Sequence, residues 1–322
     1  MRWGVAGYGD VVTRRVLPAL HALGEDAVAL WGRDEGRAAQ VAQRHGVPRH
    51  GDDPHILLTG ADAVYIATPV ALHVPFARAA HASGLPVLVE KPLSAAVRHD
   101  GGALRTGGYV GVAYYRRLAP AVRRMVHEIA TAGPGPARAE VRFRCPFDPA
   151  PDHPMHWRTD ARVSGGGVLA DAGSHRLDLL LMLFGPPAEV RARFADRFPG
   201  GAERRADVDL RWAEGTRAHC LFEWSEQPPA DSFSVRRGSR TVTLDPLDSG
   251  RVRLAGADGV RELSLPPAPN QHQPLIADFV DAVAAGTPPA CPLADAESVD
   301  AVIVAAGLSH AAGGRPVSPV AA

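Results

Sequence analysis

The chain has 322 residues, and its 35 basic and 35 acidic side chains give a formal net charge of zero. That balance excludes a long-range field steering it to nucleic acid or an anionic membrane. Three cysteines, Cys145, Cys220 and Cys291, stand far apart with no ligand spacing, which excludes a disulfide framework and implies reduced thiols.

The first residues open into a strand pattern where a leader would carry a basic and then an apolar region. No apolar run approaches the roughly 18 to 20 residues that span a bilayer. The expectation is a cytoplasmic globular protein of two domains. In chain order, WGVAG at 3–7, AVALWG at 27–32, AVYIAT at 63–68, LPVLVE at 85–90 and GYVGVAY at 108–114 read as buried strands. Between them run the helical patterns VVTRRVLPALHALG, EGRAAQVAQRHG, HVPFARAAHASG and a weaker SAAVRHDGGALR. Three of these end in Gly24, Gly46 and Gly84, the residue type that caps helices. Continuous apolar strands alternating with helices predict an α/β fold with a parallel sheet covered on both faces. Residues 1–113 are therefore expected to form a doubly wound, Rossmann-type dinucleotide-binding domain.

The pattern then changes. RRLAPAVRRMVHEIATAG reads as a helix and ARAEVRFRC as a half-solvated strand. Residues 168–184, VLADAGSHRLDLLLMLF, form a strongly apolar helix preceded by Gly165, Gly166 and Gly167. EVRARFAD, ADVDLRWAE, TRAHCLFEWS, DSFSVRRG, RTVTLD and RVRLAG alternate as strands of an open, mostly antiparallel sheet. PLIADFVDAVAAG and DAESVDAVIVAAGLSHAAGG return to helix. Residues 114–322 are thus expected to form an α+β domain that binds substrate and makes a homo-oligomer through an exposed sheet face.

The turn GYGDVV at 7–12 follows the first strand and opens a helix. Two glycines there let the backbone turn tightly and approach a pyrophosphate, so Gly7, Gly9, Asp10 and Val11 are candidate cofactor residues. Val12 stands where Gly or Ala is usual. A plain strand-to-helix turn is the bland alternative, and the strand–helix alternation that follows weighs against it. At the end of the second strand, LWGRDEGR places Gly32 where an acid would accept from the 2′-hydroxyl of NAD. Gly32 is expected to leave room for a phosphate, Arg33 to clamp or stack on it and Arg37 to help, while Asp34 reads as a helix N-cap. NADP(H) is the expected cofactor, with NAD(H) possible.

DAGSHRLD at 171–178 places Asp171, His175 and Asp178 on one helical face. A carboxylate one turn from an imidazole makes a general acid/base pair, and a structural Asp beside a core His is the competing reading. His153 and His156 in DHPMHW read as loop histidines, and no metal site is expected. Lys91, in LPVLVEKPLS, is the sole lysine among the 35 basic side chains. Either codon bias left it by chance, or chemistry needs an amine that, unlike guanidinium, can pass a proton.

In combination, the glycine turn, YIATPVALHVPFARAAHASGLPVLVEKPLS, AYYRRLAPAVRR and HWRTDARVSGGGVLADAGSHRLDLLLMLFG resemble the glucose–fructose oxidoreductase/inositol dehydrogenase/rhizopine catabolism (Gfo/Idh/MocA) family. The resemblance extends to the closing NQHQPLIADFVDAV helix. It implies a catalytic set on Lys91, Asp171 and His175, and a Lys91–Pro92 bond that is often cis in the family. It also implies cofactor contacts from Thr68, Pro69, His73, Glu90 and Lys91. Tyr115, Arg116, Trp157 and Arg158, with Asp171 and His175, are candidates for substrate contact. Val70 departs from the family, where Asn often follows the Thr-Pro pair.

The expected chemistry is reversible hydride transfer between NADP(H) and a carbinol or ketone carbon of a small polyhydroxylated substrate: a sugar, a cyclitol or a nucleotide-linked sugar. His175 takes the hydroxyl proton, Lys91 polarises the substrate oxygen, and Asp171 orients His175 or an adjacent hydroxyl. Which of Lys91 and His175 moves the proton stays open. The alternatives are a hydrolase or epimerase that retains its dinucleotide, an imine or alkene reductase, and a non-catalytic NADP-binding regulator.

Overall fold

The computed structural model describes residues 1–97, 104, 109–257 and 259–319. Most of the weak helical pattern at 94–105 lies outside the described residues. The chain divides into two compact units. The first gathers Met1–Ser94, the described residues up to Tyr115, and Ala268–Ala296. The second gathers Ala95–Val97, Arg116–Pro267 and the residues from Glu297 onward. Part of the region expected in the second domain therefore returns to the first unit.

In the first unit, β1 (Arg2–Ala6), β2 (Asp26–Trp31), β3 (Arg49–Gly51), β4 (Ala63–Ile66), β5 (Val87–Val89) and β6 (Val110–Val112) pair in the order β3-β2-β1-β4-β5-β6. Every pairing is parallel. This is the doubly wound order, with its switch point between β1 and β4. The side chains of β4, β5 and β6 are buried throughout, which is why their sequences read as unbroken apolar runs. β3, written Arg-His-Gly, carries no such signal and escaped the sequence reading.

The first helix is π-wound over Val12–Val16, with Val12 fully buried, before continuing as α1 (Leu17–Ala22). Asp34 caps α2 (Glu35–His45) by accepting the Arg37 backbone N–H at 3.0 Å, and α2 ends at left-handed Gly46. After α3 (His73–Ala82) the unit is completed from far along the chain by α7 (His272–Ala285). α7 is held by Phe279, which is fully buried with its ring 5.7 Å from Trp3 and 5.5 Å from Tyr109. A Cβ on Gly111 would lie 3.0 Å from that ring, so glycine in β6 is what admits Phe279. The edge of β6 is covered where the Val112 N–H donates to Cys291 O at 3.0 Å.

The second unit holds α4 (Pro120–Ala130), β7 (Ala137–Cys145), α5 (Ala161–Ser164), α6 (Ser174–Phe184) and seven further strands. These are β8 (Glu189–Arg197), β9 (Glu203–Arg211), β10 (Arg217–Trp224), β11 (Ala230–Arg237), β12 (Arg240–Leu244), β13 (Arg251–Gly256) and β14 (Gly259–Ser264). Their order is β14-β13-β12-β11-β7-β10-β9-β8, antiparallel except for the parallel β7–β10 pair. Alternation places Ala137, Ala139 and Val141 of β7 inside and Arg138, Glu140 and Arg142 outside, as its sequence predicts. β14 is almost wholly exposed, and its weak pattern was not singled out in the sequence. Edge strand β8 is covered by the end of α8 (Leu293–Ala311), with Ala192 N–H donating to Ser309 Oγ at 2.9 Å. Among the described residues no helix is long and apolar enough to cross a membrane.

Phe279→Ala should cost about 3–5 kcal/mol, the usual range for emptying a buried aromatic site. Urea unfolding measures it; a loss below about 1 kcal/mol would mean α7 is not integral to the first unit.

Candidate functional site

The glycine turn starts where β1 ends. Gly7 has φ +110, and a Cβ there would lie 2.5 Å from Ala67 O, so only glycine lets β1 and β4 leave the sheet this close together. Its N–H donates to Trp31 O at 2.9 Å, which ties the turn to the end of β2. A Cβ on Gly9 would meet nothing within 4 Å, which leaves that backbone approachable. Asp10 is exposed and Val11 half-buried. The buried Thr68, at the end of β4, has no hydrogen-bond partner for its Oγ1 among the described residues. An approachable glycine backbone and an unsatisfied buried hydroxyl fit the phosphate and ribose of a dinucleotide.

Gly32 stands against the ring of Tyr8: a Cβ on it would lie 2.0 Å from two ring carbons. Arg33 and Arg37 are both exposed, and the Arg37 guanidinium lies 5.0 Å from the Tyr8 ring centroid.

The Lys91–Pro92 bond that follows β5 is cis. Lys91 is half-buried and Pro69 likewise. Glu90 is buried, and its Oε1 accepts from the Tyr65 hydroxyl at 2.9 Å and contacts His272 Nε2 at 3.0 Å. Its Oε2 takes the Lys91 N–H at 3.3 Å. Burial alone would raise the Glu90 pKa. The hydrogen bond and charge of His272, the charge of Lys91 and the Tyr65 hydroxyl outweigh it and hold Glu90 below its ordinary value. Burial, then the charge and hydrogen bond of Glu90, push the Tyr65 hydroxyl well up, so it remains a donor. Beside His272 lies Tyr115, ring centroids 5.2 Å apart.

His73 lies behind this surface and not on it. It is buried, with Nδ1 2.9 Å from Pro92 O and Nε2 2.9 Å from Thr68 O. It thus struts the Thr68 and Lys91 turns together. Burial pushes its pKa below the ordinary imidazole value despite those two contacts.

In the second unit, Asp171 sits in a π-wound turn, Leu169–Gly173, that leads into α6, with His175 buried in the first turn of α6. π-wound turns recur at functional sites. The turn is anchored by Glu203 of β9, a buried carboxylate that accepts the N–H groups of Gly167 at 2.8 Å and Leu169 at 3.0 Å. Burial raises the Glu203 pKa against those bonds. A Cβ on Gly167 would lie 2.0 Å from Glu203 O, which explains one glycine of the triplet.

Arg158 pairs with Asp171 at 2.9 Å and lies over the Trp157 ring at 5.5 Å. Arg116 is buried in a two-point pair with Asp248, Nε–Oδ1 2.9 Å and Nη2–Oδ2 2.5 Å. Asp178, third on the expected face, is fully buried against Arg117 at 2.6 Å, a structural pair. His153 Nδ1 accepts the Met155 N–H at 3.1 Å, and His156 Nδ1 lies 3.1 Å from Pro149 O, so both serve the loop. Sequence reasoning missed Tyr65, His272 and Glu203. A polar residue inside a buried strand was the one available signal, and it pointed only to Tyr65.

Residues 1–100 match the model described as an oxidoreductase family with an NAD-binding Rossmann fold, and residues 135–241 match the GFO/IDH/MocA C-terminal domain. The dTDP-3,4-didehydro-2,6-dideoxy-alpha-D-glucose 3-reductase of Streptomyces antibioticus is 32% identical over 306 residues, 89% of each chain. The chain belongs to the Gfo/Idh/MocA oxidoreductase family. Another relative, D-xylose 1-dehydrogenase (NADP(+)) 2 of Haloferax volcanii, is 29% identical over 76% of each chain. A levoglucosan dehydrogenase solved in complex with NADH superposes over 100% of each chain with a TM-score of 0.89 at 20% identity. This last likeness shows the fold alone.

The pH dependence of stability has a definite sign. An imidazole held below its ordinary value of about 6.5 leaves the unfolded chain to take the proton first, so His73 contributes fully above that value and loses stability as pH falls below it. Glu90, held below the ordinary carboxyl range, adds stability that is lost as pH falls through that range. Thermal midpoints measured in steps from neutral to pH ~4 should decline throughout. His73→Gln should flatten the upper part of the decline and Glu90→Gln the lower. Slopes unchanged in both variants would refute the assignment.

Proposed function

We propose that the protein transfers a hydride between NADP(H) and a carbinol or ketone carbon of a sugar or nucleotide-linked sugar. One observation carries the reading: the only amine side chain in the chain follows β5 of a dinucleotide-type sheet, in a turn built on a buried carboxylate and a buried imidazole. The names of the xylose dehydrogenase and dTDP-sugar reductase relatives support a sugar.

In this reading the first unit binds the nucleotide through Gly7, Gly9, Asp10, Val11 and Thr68 with Pro69, and through Arg33 and Arg37 at the 2′-phosphate. The bound pyridine nucleotide supplies or accepts the hydride. Lys91 and His175 serve the same turnover. His175 holds or takes the proton at the reacting oxygen, and the Lys91 ammonium stabilises negative charge developing on that oxygen. Asp171, clamped by Arg158, meets a neighbouring hydroxyl or steadies His175. Glu90 and His73 act from behind, through the backbone on either side of the Lys91–Pro92 bond. Tyr115 and Trp157 line the sugar.

Lys91→Ala and His175→Ala should each slow the chemical step by about 100-fold or more, and the double variant by less than the product of the two. The assay is NADPH or NADP⁺ turnover against a panel of sugars, inositols and dTDP-sugars. Near-normal turnover in both single variants ends the reading. Product formed without net change in NADPH would favour a retained-dinucleotide hydrolase or epimerase.

We propose further that two copies meet through the outer face of the second unit's sheet. Arg211, Arg217, Arg138 and Arg236 form one exposed cross-strand row that ends at Glu189 of β8, and Asp209, His219 and Glu140 form the next, which ends at Arg191. Like charges in a row repel, and a two-fold related copy can offer its acidic row to the basic one. Sedimentation should give a dimer for the native protein and a monomer for Arg138→Glu/Arg217→Glu; a native monomer contradicts this.

A further inference from the structure

The end of β2 has no space for a side chain at position 32. A Cβ built on Gly32 would lie 2.0 Å from both Cδ1 and Cε1 of Tyr8. Neither backbone is free to retreat. The Gly32 N–H donates to Gly51 O at 3.0 Å, and the Gly7 N–H, beside Tyr8, donates to Trp31 O at 2.9 Å. Only rotation of the Tyr8 ring would relieve the clash.

That ring has a second task. The Arg37 guanidinium lies 5.0 Å from its centroid, within cation–π range. The stack holds a long, exposed side chain in a narrower set of conformations, which lowers the entropy lost when it binds an oxyanion. The Asp34 carboxylate is engaged at the helix N-cap, accepting the Arg37 backbone N–H at 3.0 Å. Arg33 and Arg37 form no ion pair among the described residues.

We propose that Tyr8, paired with Gly32, is the specificity-determining residue for the 2′ substituent of the dinucleotide. This rests on the reading that the first unit binds NADP(H). An acid at the end of β2 favours NAD because it accepts from the 2′-hydroxyl and repels a 2′-phosphate. Tyr8 excludes such an acid by occupying the position its Cβ requires, and the same ring presents Arg37 to the phosphate. Preference is therefore stored in a packed pair, and the arginines act through it. An acid introduced at position 32 displaces the ring and the Arg37 stack before it can serve NAD.

The test is binding of NADPH, NADH and 2′,5′-ADP by fluorescence and calorimetry, with no turnover required. The native protein and Tyr8→Phe should both prefer NADPH. Tyr8→Ala should weaken NADPH and 2′,5′-ADP by about 10-fold, the scale of one cation–π contact, and leave NADH nearly unchanged. Gly32→Asp should bind both nucleotides poorly, and Tyr8→Ala/Gly32→Asp should regain NADH and prefer it. If the native protein shows no preference, the NADP reading fails and this inference with it. If the preference is present but survives Tyr8→Ala, or Gly32→Asp alone switches it as fully as the double variant, the role of Tyr8 is refuted while the NADP reading stands.

Discussion

A buried carboxylate must find partners or give up its charge. Glu90 finds three: a tyrosine from the neighbouring strand, an imidazole from α7 and the N–H of the lysine that follows it. Two of them arrive from distant parts of the chain, so the requirement of one charge determines where separate segments converge. Lys91 leaves the sheet at the place so defined. The apolar packing of Phe279 against Trp3 and Tyr109 brings α7 into the first unit and makes His272 available to Glu90.

The same device appears in the second unit with another residue. Glu203 receives the free N–H groups at the start of the helical run that carries Asp171 and His175. Gly167 is pressed so closely against Glu203 that a methyl group would not fit. In both units a buried carboxylate accepts backbone N–H groups beside the proposed catalytic residues and so sets the backbone that carries them. Holding the local fold is thereby left to groups other than Lys91, Asp171 and His175. Arg117 with Asp178, and Arg116 with Asp248, extend this division: these charges, Arg116 among them a substrate candidate on sequence grounds, are paired within the protein.

Much of this was legible in the sequence where a single physical signal dominates. Unbroken apolar runs gave away β1, β2 and β4 to β6, alternation gave away most of the second sheet, and the glycine turn stood out by its place between strand and helix. Elements without such a signal were missed. β3 is the three-residue Arg-His-Gly at a sheet edge, and β14 is exposed along nearly all its length. A glycine in a sequence shows no neighbour, and the Tyr8 ring that stands against Gly32 is 24 positions away. His73 was placed among cofactor contacts by its motif, whereas its burial makes it a strut.

The sequence by itself determined the fold class and the order of all but its weakest strands, because periodicity is a local property, and its motifs, through the family resemblance, marked Lys91, Asp171 and His175 as candidates. Only the tertiary structure decided that α7 belongs with the first sheet, that Glu90 and Glu203 are the anchoring charges, and that Tyr8 covers Gly32. Those facts depend on which distant groups are driven together when apolar surface leaves water, and a buried charge or an absent side chain acquires its meaning only from the neighbours so assembled.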